Sequence, residues 1–295
     1  MEVIAFHVAN VVAPILLCVL VGYAFARLDL PFDNKMVGAL VSNVGYPALI
    51  LSHLSAQHVA VGPFLHMMFV AVLVVALFGA IAYVYLRLMR LPVRAFLSPM
   101  TLNNVGNVGL PVCSLALGDA GLAYGLVFVV VVLVGTFTFG TWLPQGKVTG
   151  SDLYRKPVIY AIVVAIALMA TGTRLPLPFD HAVSILGGLT IPLMLLTLGH
   201  TLATLKVGAL WRGLSLSLFH LALGVCVAFA LLHVFAYHGT ERGVLILMCL
   251  MPVSVSTYLW VEMYDLEDAP DVAGLILLST VLTVFVLPLA LAFWV

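Results

Sequence analysis

Apolar runs of about twenty residues recur along this chain, each ended by a charge or a cluster of turn residues, and this pattern decides what it can fold into. A bilayer hydrocarbon core of about 30 Å is crossed by about 20 residues of helix. Ten runs meet that length or come close: 4–26, 34–55, 64–88, 95–117, 120–143, 157–173, 180–204, 209–236, 242–262 and 271–294. Between them lie short connections. Of 295 residues 64% are apolar and 8% charged, and the mean hydropathy is +1.22. A water-soluble domain carries about 25% charged residues, so this chain cannot clothe itself in a polar surface. The expected fold is an all-α polytopic membrane protein of ten transmembrane helices.

Charge placement sets the expected orientation. With the N-terminus outside, ten of the twelve basic residues fall in inner loops: Arg27, Lys35, Arg87, Arg90, Arg94, Lys147, Arg155, Lys156, Lys206 and Arg212. Only Arg174 and Arg242 remain outside. Basic residues concentrate on the cytoplasmic side, so both termini are expected outside a cell membrane, with a bacterial inner membrane the natural setting. The start of the chain lacks the basic n-region of a cleaved signal, so the first run is expected to be a permanent helix. Net charge is zero and no basic stripe exists, which argues against a nucleic-acid partner. Cys18, Cys113, Cys226 and Cys249 lie in apolar runs without a C-x-x-C pair, so no metal or other cofactor is expected.

The longest polar connection, residues 146–156, divides ten runs into five and five. A unit with an odd number of spans begins on one side of the membrane and ends on the other. Related halves, 1–145 and 157–295, must then be inverted repeats. Prolines at matching ranks support this: Pro47 and Pro192 in the second and seventh runs, Pro111 and Pro252 in the fourth and ninth.

The fourth run contains Asn103-Asn104-Val105-Gly106-Asn107-Val108-Gly109-Leu110-Pro111. Glycine costs a helix interior about 1 kcal/mol and proline about 3 relative to alanine. Backbone freed by such a break survives at membrane depth only inside protein or beside a water-filled cavity. Asparagine amides can satisfy freed backbone groups and still bind a solute. The ninth run holds Met251-Pro252-Val253-Ser254-Val255-Ser256-Thr257-Tyr258 at a similar depth. Interrupted helices at corresponding ranks of two halves point to a carrier's midplane site. The expected substrate-binding set is Asn103, Asn104, Gly106, Asn107, Gly109, Pro111, Pro252, Ser254, Ser256 and Thr257. Among His7, His53, His200 and His220, all in or near spans, His53 and His200 are candidates for proton coupling. Asp119 reads as an exposed helix cap and Glu262 as a solvated helix end. No H-E-x-x-H, G-x-S-x-G or phosphate-loop pattern is present, so an enzyme is not expected.

At Tyr46–Leu54, Asn104–Pro111, Arg155–Pro157 with Ile191–Leu202, and Met251–Tyr258, the chain resembles the auxin efflux carrier family, which includes plant PIN auxin exporters and bacterial malonate and malate carriers. The resemblance implies two inverted five-helix repeats whose fourth and ninth helices break and cross at their prolines, here Pro111 and Pro252. It implies a scaffold of the first, second, sixth and seventh helices, often a homodimer interface, and a moving domain made of the rest. An organic anion would bind near the crossing, with Asn104 and Asn107 among its ligands. Where the family often has asparagine after the ninth-helix proline, this chain has Ser254, Ser256 and Thr257. The expected activity is alternating-access transport of a small organic anion, directed outward. The alternatives are a sodium- or proton-coupled symporter of the bile-acid type and a membrane solute sensor that does not transport.

Overall fold

The computed structural model of the chain describes residues 2–55, 59–145, 156–264 and 267–295. The expected linker at 146–156 lies outside these residues except for Lys156, as does the side chain of His7. Every described element is helical, and no strand occurs among the described residues. In chain order the α-helices are α1 (Glu2–Arg27), α2 (Asn34–Leu40), α3 (Tyr46–Ser55), α4 (Val61–Leu88), α5 (Val93–Thr101), α6 (Leu110–Gly135), α7 (Thr141–Gln145), α8 (Pro157–Thr171), α9 (Leu177–Gly188), α10 (Thr190–Thr204), α11 (Leu210–Phe235), α12 (Gly239–Cys249), α13 (Val255–Tyr264) and α14 (Ala269–Phe293). Three π-helical turns, Val41–Gly45, Val105–Gly109 and Thr136–Gly140, join α2 to α3, lead into α6 and join α6 to α7.

Seven continuous helical stretches among the described residues are long and apolar enough to cross a membrane. One of them, Val105–Gln145, has 41 residues. At 1.5 Å per residue that is about 60 Å, twice a hydrocarbon core. Gly118, at φ 65° and ψ −154°, interrupts it between the fourth and fifth expected runs. The ninth run is split by an extended stretch into α12 and α13, and α8 is apolar but has only 15 residues. Asp119 follows directly on the Gly118 break.

Local chemistry explains the ends. The Asp33 carboxylate accepts the backbone N–H groups of Lys35 and Met36, at 2.8 and 3.1 Å, and so caps α2. Gly172, at φ 65°, closes α8 in the left-handed form that lacks a side-chain penalty. Prolines sit just past the wide π turns: Pro47 follows Val41–Gly45, Pro111 follows Val105–Gly109 and Pro144 follows Thr136–Gly140. Proline has no N–H to give to the preceding turn, and the five-residue hydrogen bonding of a π turn accommodates that gap.

The closest helix pairs fall into two groups, which also touch each other where α1 and α3 meet α6. In the first, α1 lies along α10, and α3 lies against α8 and α9. A Cβ at Gly22 would collide with the Leu196 carbonyl, and one at Gly199 with the Val19 carbonyl, so α1 and α10 touch backbone to backbone. In the second, α4 packs on α5, α6 on α12, and α11 on α14, with Gly213 against the backbone of Gly274. The Arg212–Asp271 ion pair ties α11 to α14, and Asp271 also accepts the Ala209 N–H at the start of α11.

The break in the fourth run differs from the expected one in position. It lies at 102–104, between α5 and the π turn, and not at Pro111, which sits buried two residues beyond that turn. The reason is local: Pro111 falls near a helix start, where its missing N–H costs little, while the adjacent asparagines leave the helix to pair with another strand of backbone. In the ninth run the break spans 250–254 and contains Pro252, as expected.

Candidate functional site

The two breaks meet. Asn103 and Val253 face each other as a short antiparallel pair. The Asn104 N–H donates to the Pro252 carbonyl at 2.7 Å, and the Ser254 N–H donates to the Leu102 carbonyl at 3.0 Å. Two interrupted helices thus satisfy one another's freed backbone, the condition for irregular backbone inside a membrane protein.

Side chains complete the accounting. Asn103 Nδ2 donates to the carbonyls of Met248 (3.0 Å) and Cys249 (3.3 Å), which the end of α12 leaves open. His220 Nε2 on α11 donates to the Met251 carbonyl at 3.3 Å. Ser279 Oγ on α14 accepts the Val253 N–H at 3.2 Å and donates to the Ile276 carbonyl. Thr257 Oγ1 donates to the Ser254 carbonyl at 2.7 Å, and the hydroxyls of Ser254 and Ser256 are 2.7 Å apart. His220 is therefore a brace behind the crossing, held edge-on to Phe78.

In front of the crossing is a cavity of about 330 Å³. Of the expected site residues, Asn103, Asn104, Gly106, Asn107, Ser254 and Ser256 line it. Gly109, Pro111, Pro252 and Thr257 do not: Gly109 is pressed against Met248 and Met251, Pro252 supplies its carbonyl to the crossing, and Thr257 is fully buried and spent on its own helix. His53 Nδ1 lies 3.2 Å from the Leu49 carbonyl, away from the cavity. His200 is not in the lining either, but its Nδ1 lies 3.0 Å from Nδ2 of Asn34, which is. Its ring stacks on Phe32 at 5.0 Å.

The lining also contains residues that sequence reasoning missed. Ser42 and Tyr46 come from the second run, Thr197 and Thr201 from α10, and Thr136 from the π turn after α6. Tyr46 is buried, and its hydroxyl lies where a Cβ on residue 106 would fall, so a side chain at Gly106 would have to displace the Tyr46 hydroxyl. Lys206 and Glu262 are the charged lining residues, and both are exposed. Glu262 is thus a solvated end, as expected, and also borders the cavity; it accepts a hydrogen bond from Tyr258 at 3.2 Å.

Two features give the cavity its chemistry. The first turns of two helices open onto it, at Val105–Asn107 and Ser254–Ser256. Each helix N-terminus carries about half a positive charge; the Val105 and Ser254 N–H groups are bonded to the carbonyls of Asn103 and Leu102. Asn103 Oδ1 and Asn104 Nδ2 are also buried without a hydrogen-bond partner, on residues each 4% exposed. Buried polar groups are nearly always paired, and Asn34 Oδ1 and Thr197 Oγ1, on two other lining residues, are buried without a partner as well. No group of three or more metal-ligating side chains occurs among the described residues.

Comparison with known sequences points to membrane transport. The profile of a family described as "Membrane transport protein" matches residues 145–291. An uncharacterized transporter of Methanocaldococcus jannaschii is 25% identical over 299 residues, covering 95% of this chain and 96% of its own length. With the Asn/Gly/Pro run at the crossing of two broken helices, these matches make the chain similar to membrane transporters of the auxin efflux carrier family.

Proposed function

We propose that the protein carries a small organic anion outward across a cell membrane by alternating access. Ten spans in two inverted halves, 1–145 and 157–295, would place the crossing near the bilayer midplane. The observation that carries this reading is the cavity itself. Two helix N-terminal turns open onto it, and on the lining residues Asn103 and Asn104 the buried Oδ1 and Nδ2 atoms have no partner. A carboxylate accepts from N–H donors and is favoured by helix N-termini, so no fixed positive side chain is needed at the crossing.

In the orientation given by the basic residues, the cavity reaches from the crossing toward the cytoplasmic ends of α2, α10 and α13, where Asn34, Lys206 and Glu262 line it. We read this as the inward-facing state. The group of α1, α2, α3, α8, α9 and α10 would be the scaffold, able to pair with a second copy in the bilayer. The group built on α4–α7 and α11–α14 would rock against it. A monoanion leaving a cell that is negative inside gains about 2.3 kcal/mol per 100 mV, roughly a fifty-fold accumulation outside, so efflux needs no coupling ion.

A binding screen tests the reading. Small carboxylates are added to the purified protein and its unfolding temperature followed, with Asn107→Ala in parallel. One or more acids should raise the wild-type transition and raise that of the variant much less. Equal stabilisation of both proteins would move the site away from the crossing.

A further inference from the structure

Tyr46 carries a hydroxyl that packing alone does not use. The residue is 6% exposed and begins α3, just past the π turn Val41–Gly45. Its backbone is pinned: α8 and α9 hold α3, and a Cβ on Gly45 would meet the Thr190 hydroxyl of α10 at 2.6 Å. The Tyr46 hydroxyl reaches across the boundary between the two groups of helices, into the place that a Cβ on Gly106 would take. Gly106 stands between Asn104 and Asn107 in sequence, and all three line the cavity with Tyr46. The hydroxyl has no hydrogen-bond partner among the described residues. A phenylalanine would fill the same space without leaving a donor open in the interior.

From this we infer that Tyr46 is the scaffold's own contact with the transported anion, its phenol O–H donating to the carboxylate held at the crossing. The inference rests on the reading of the crossing as an organic-anion site. Two otherwise unfavourable features then have one cause: a donor left open at a buried residue, and a glycine in the turn beside it that gives the donor room. A phenol donates readily, and a hydrogen bond to an ionised acceptor is stronger than one to a neutral group. Asn104 and Asn107 belong to the other group of helices, so the anion is gripped from both sides of the boundary. When the groups move past each other, the asparagines travel with the anion and the phenol stays behind. Tyr46 therefore strengthens binding in the state described and not in the opposite one.

The test pairs two variants. Tyr46→Phe removes the oxygen and keeps the ring. Binding of malonate, lactate and benzoate to the purified full-length protein is measured calorimetrically for wild type, Tyr46→Phe and Asn107→Ala, and the unfolding temperature of each protein is taken without acid. The acid that binds wild type most tightly should bind Tyr46→Phe about tenfold more weakly, while the unliganded variant unfolds no lower than wild type. Gly106→Ala checks the geometry without a ligand. It should lower the unfolding temperature of wild type and lower that of Tyr46→Phe much less, because the nearest remaining atom, the ring Cζ, is 3.4 Å from the new methyl. Equal lowering in both backgrounds would overturn the placement of the hydroxyl. Equal affinity of Tyr46→Phe and wild type, with Asn107→Ala weakened, would overturn the role of Tyr46 and leave the anion site standing. No binding of any of the three acids to wild type would overturn both.

Discussion

The Asn104 N–H and the Pro252 carbonyl, 148 positions apart in sequence, are joined by a 2.7 Å hydrogen bond, and the cavity opens beside that bond. Each break is tolerable because the other exists. The asparagines on either side of this joint divide its duties: Asn103 holds the fold with its donors, while Asn104 keeps its donor open.

That division predicts opposite phenotypes for neighbouring residues. Asn103→Ala leaves the Met248 and Cys249 carbonyls unpaired in the interior and should cost about 2 kcal/mol or more of stability. Asn104→Ala removes no bond of Nδ2 and should change stability by less than about 1 kcal/mol, while weakening anion binding. Thermal unfolding and ligand titration of the two variants separate the effects.

His220 should behave as a structural donor. His220→Ala strands the Met251 carbonyl behind the crossing and leaves a void against Phe78, at a cost of about 2–4 kcal/mol. His220→Gln, which can still donate, should retain a higher unfolding temperature than the alanine variant. Equal loss in both would separate the Met251 bond from the brace.

The contact of α1 with α10 predicts sharp position dependence among glycines. Gly199→Ala drives a methyl into the Val19 carbonyl and should destabilise by about 1–3 kcal/mol. Gly62→Ala meets open space and should lie within about 0.5 kcal/mol of wild type. Unfolding midpoints measured side by side provide the check.

Much of this was legible in the sequence. Run length and charge placement outline the helices, since lipid admits few alternatives. The Asn103–Pro111 run announces a break, because that composition cannot make a buried helix alone. The location of the break was not legible. Proline at 111 is the strongest helix breaker in the run, yet a π turn two residues earlier makes room for it, and such a turn depends on packing. The second wall was hidden for another reason. Ser42, Thr197 and Thr201 are single hydroxyls in apolar helices, where each can bond its own backbone, and Tyr46 is one aromatic ring in an apolar run, so none stands out until the fold brings them to one cavity. His220 and Ser279 were equally silent, since nothing local says which carbonyl a buried donor will meet.

Lys206 lies in the exposed part of the cavity, where it would draw anions toward the site without touching them at the crossing. Lys206→Glu should raise the half-saturating anion concentration by about two- to fivefold at low salt, leave the maximal rate nearly unchanged, and lose its effect as salt rises, because the interaction is screened over about 10 Å at 0.1 M. Initial rates at two ionic strengths show this directly.

The central claim is that an anion leaves through the crossing under the membrane potential alone. The direct measurement is flux from proteoliposomes preloaded with a labelled carboxylate that the binding screen selects, with an imposed potential negative inside and no pH or sodium gradient. Wild-type protein should release the anion at a rate that grows with the potential, and Asn104→Ala and Asn107→Ala should release it at least about tenfold more slowly. Release that requires a proton or sodium gradient, or that is untouched by both substitutions, would contradict the account.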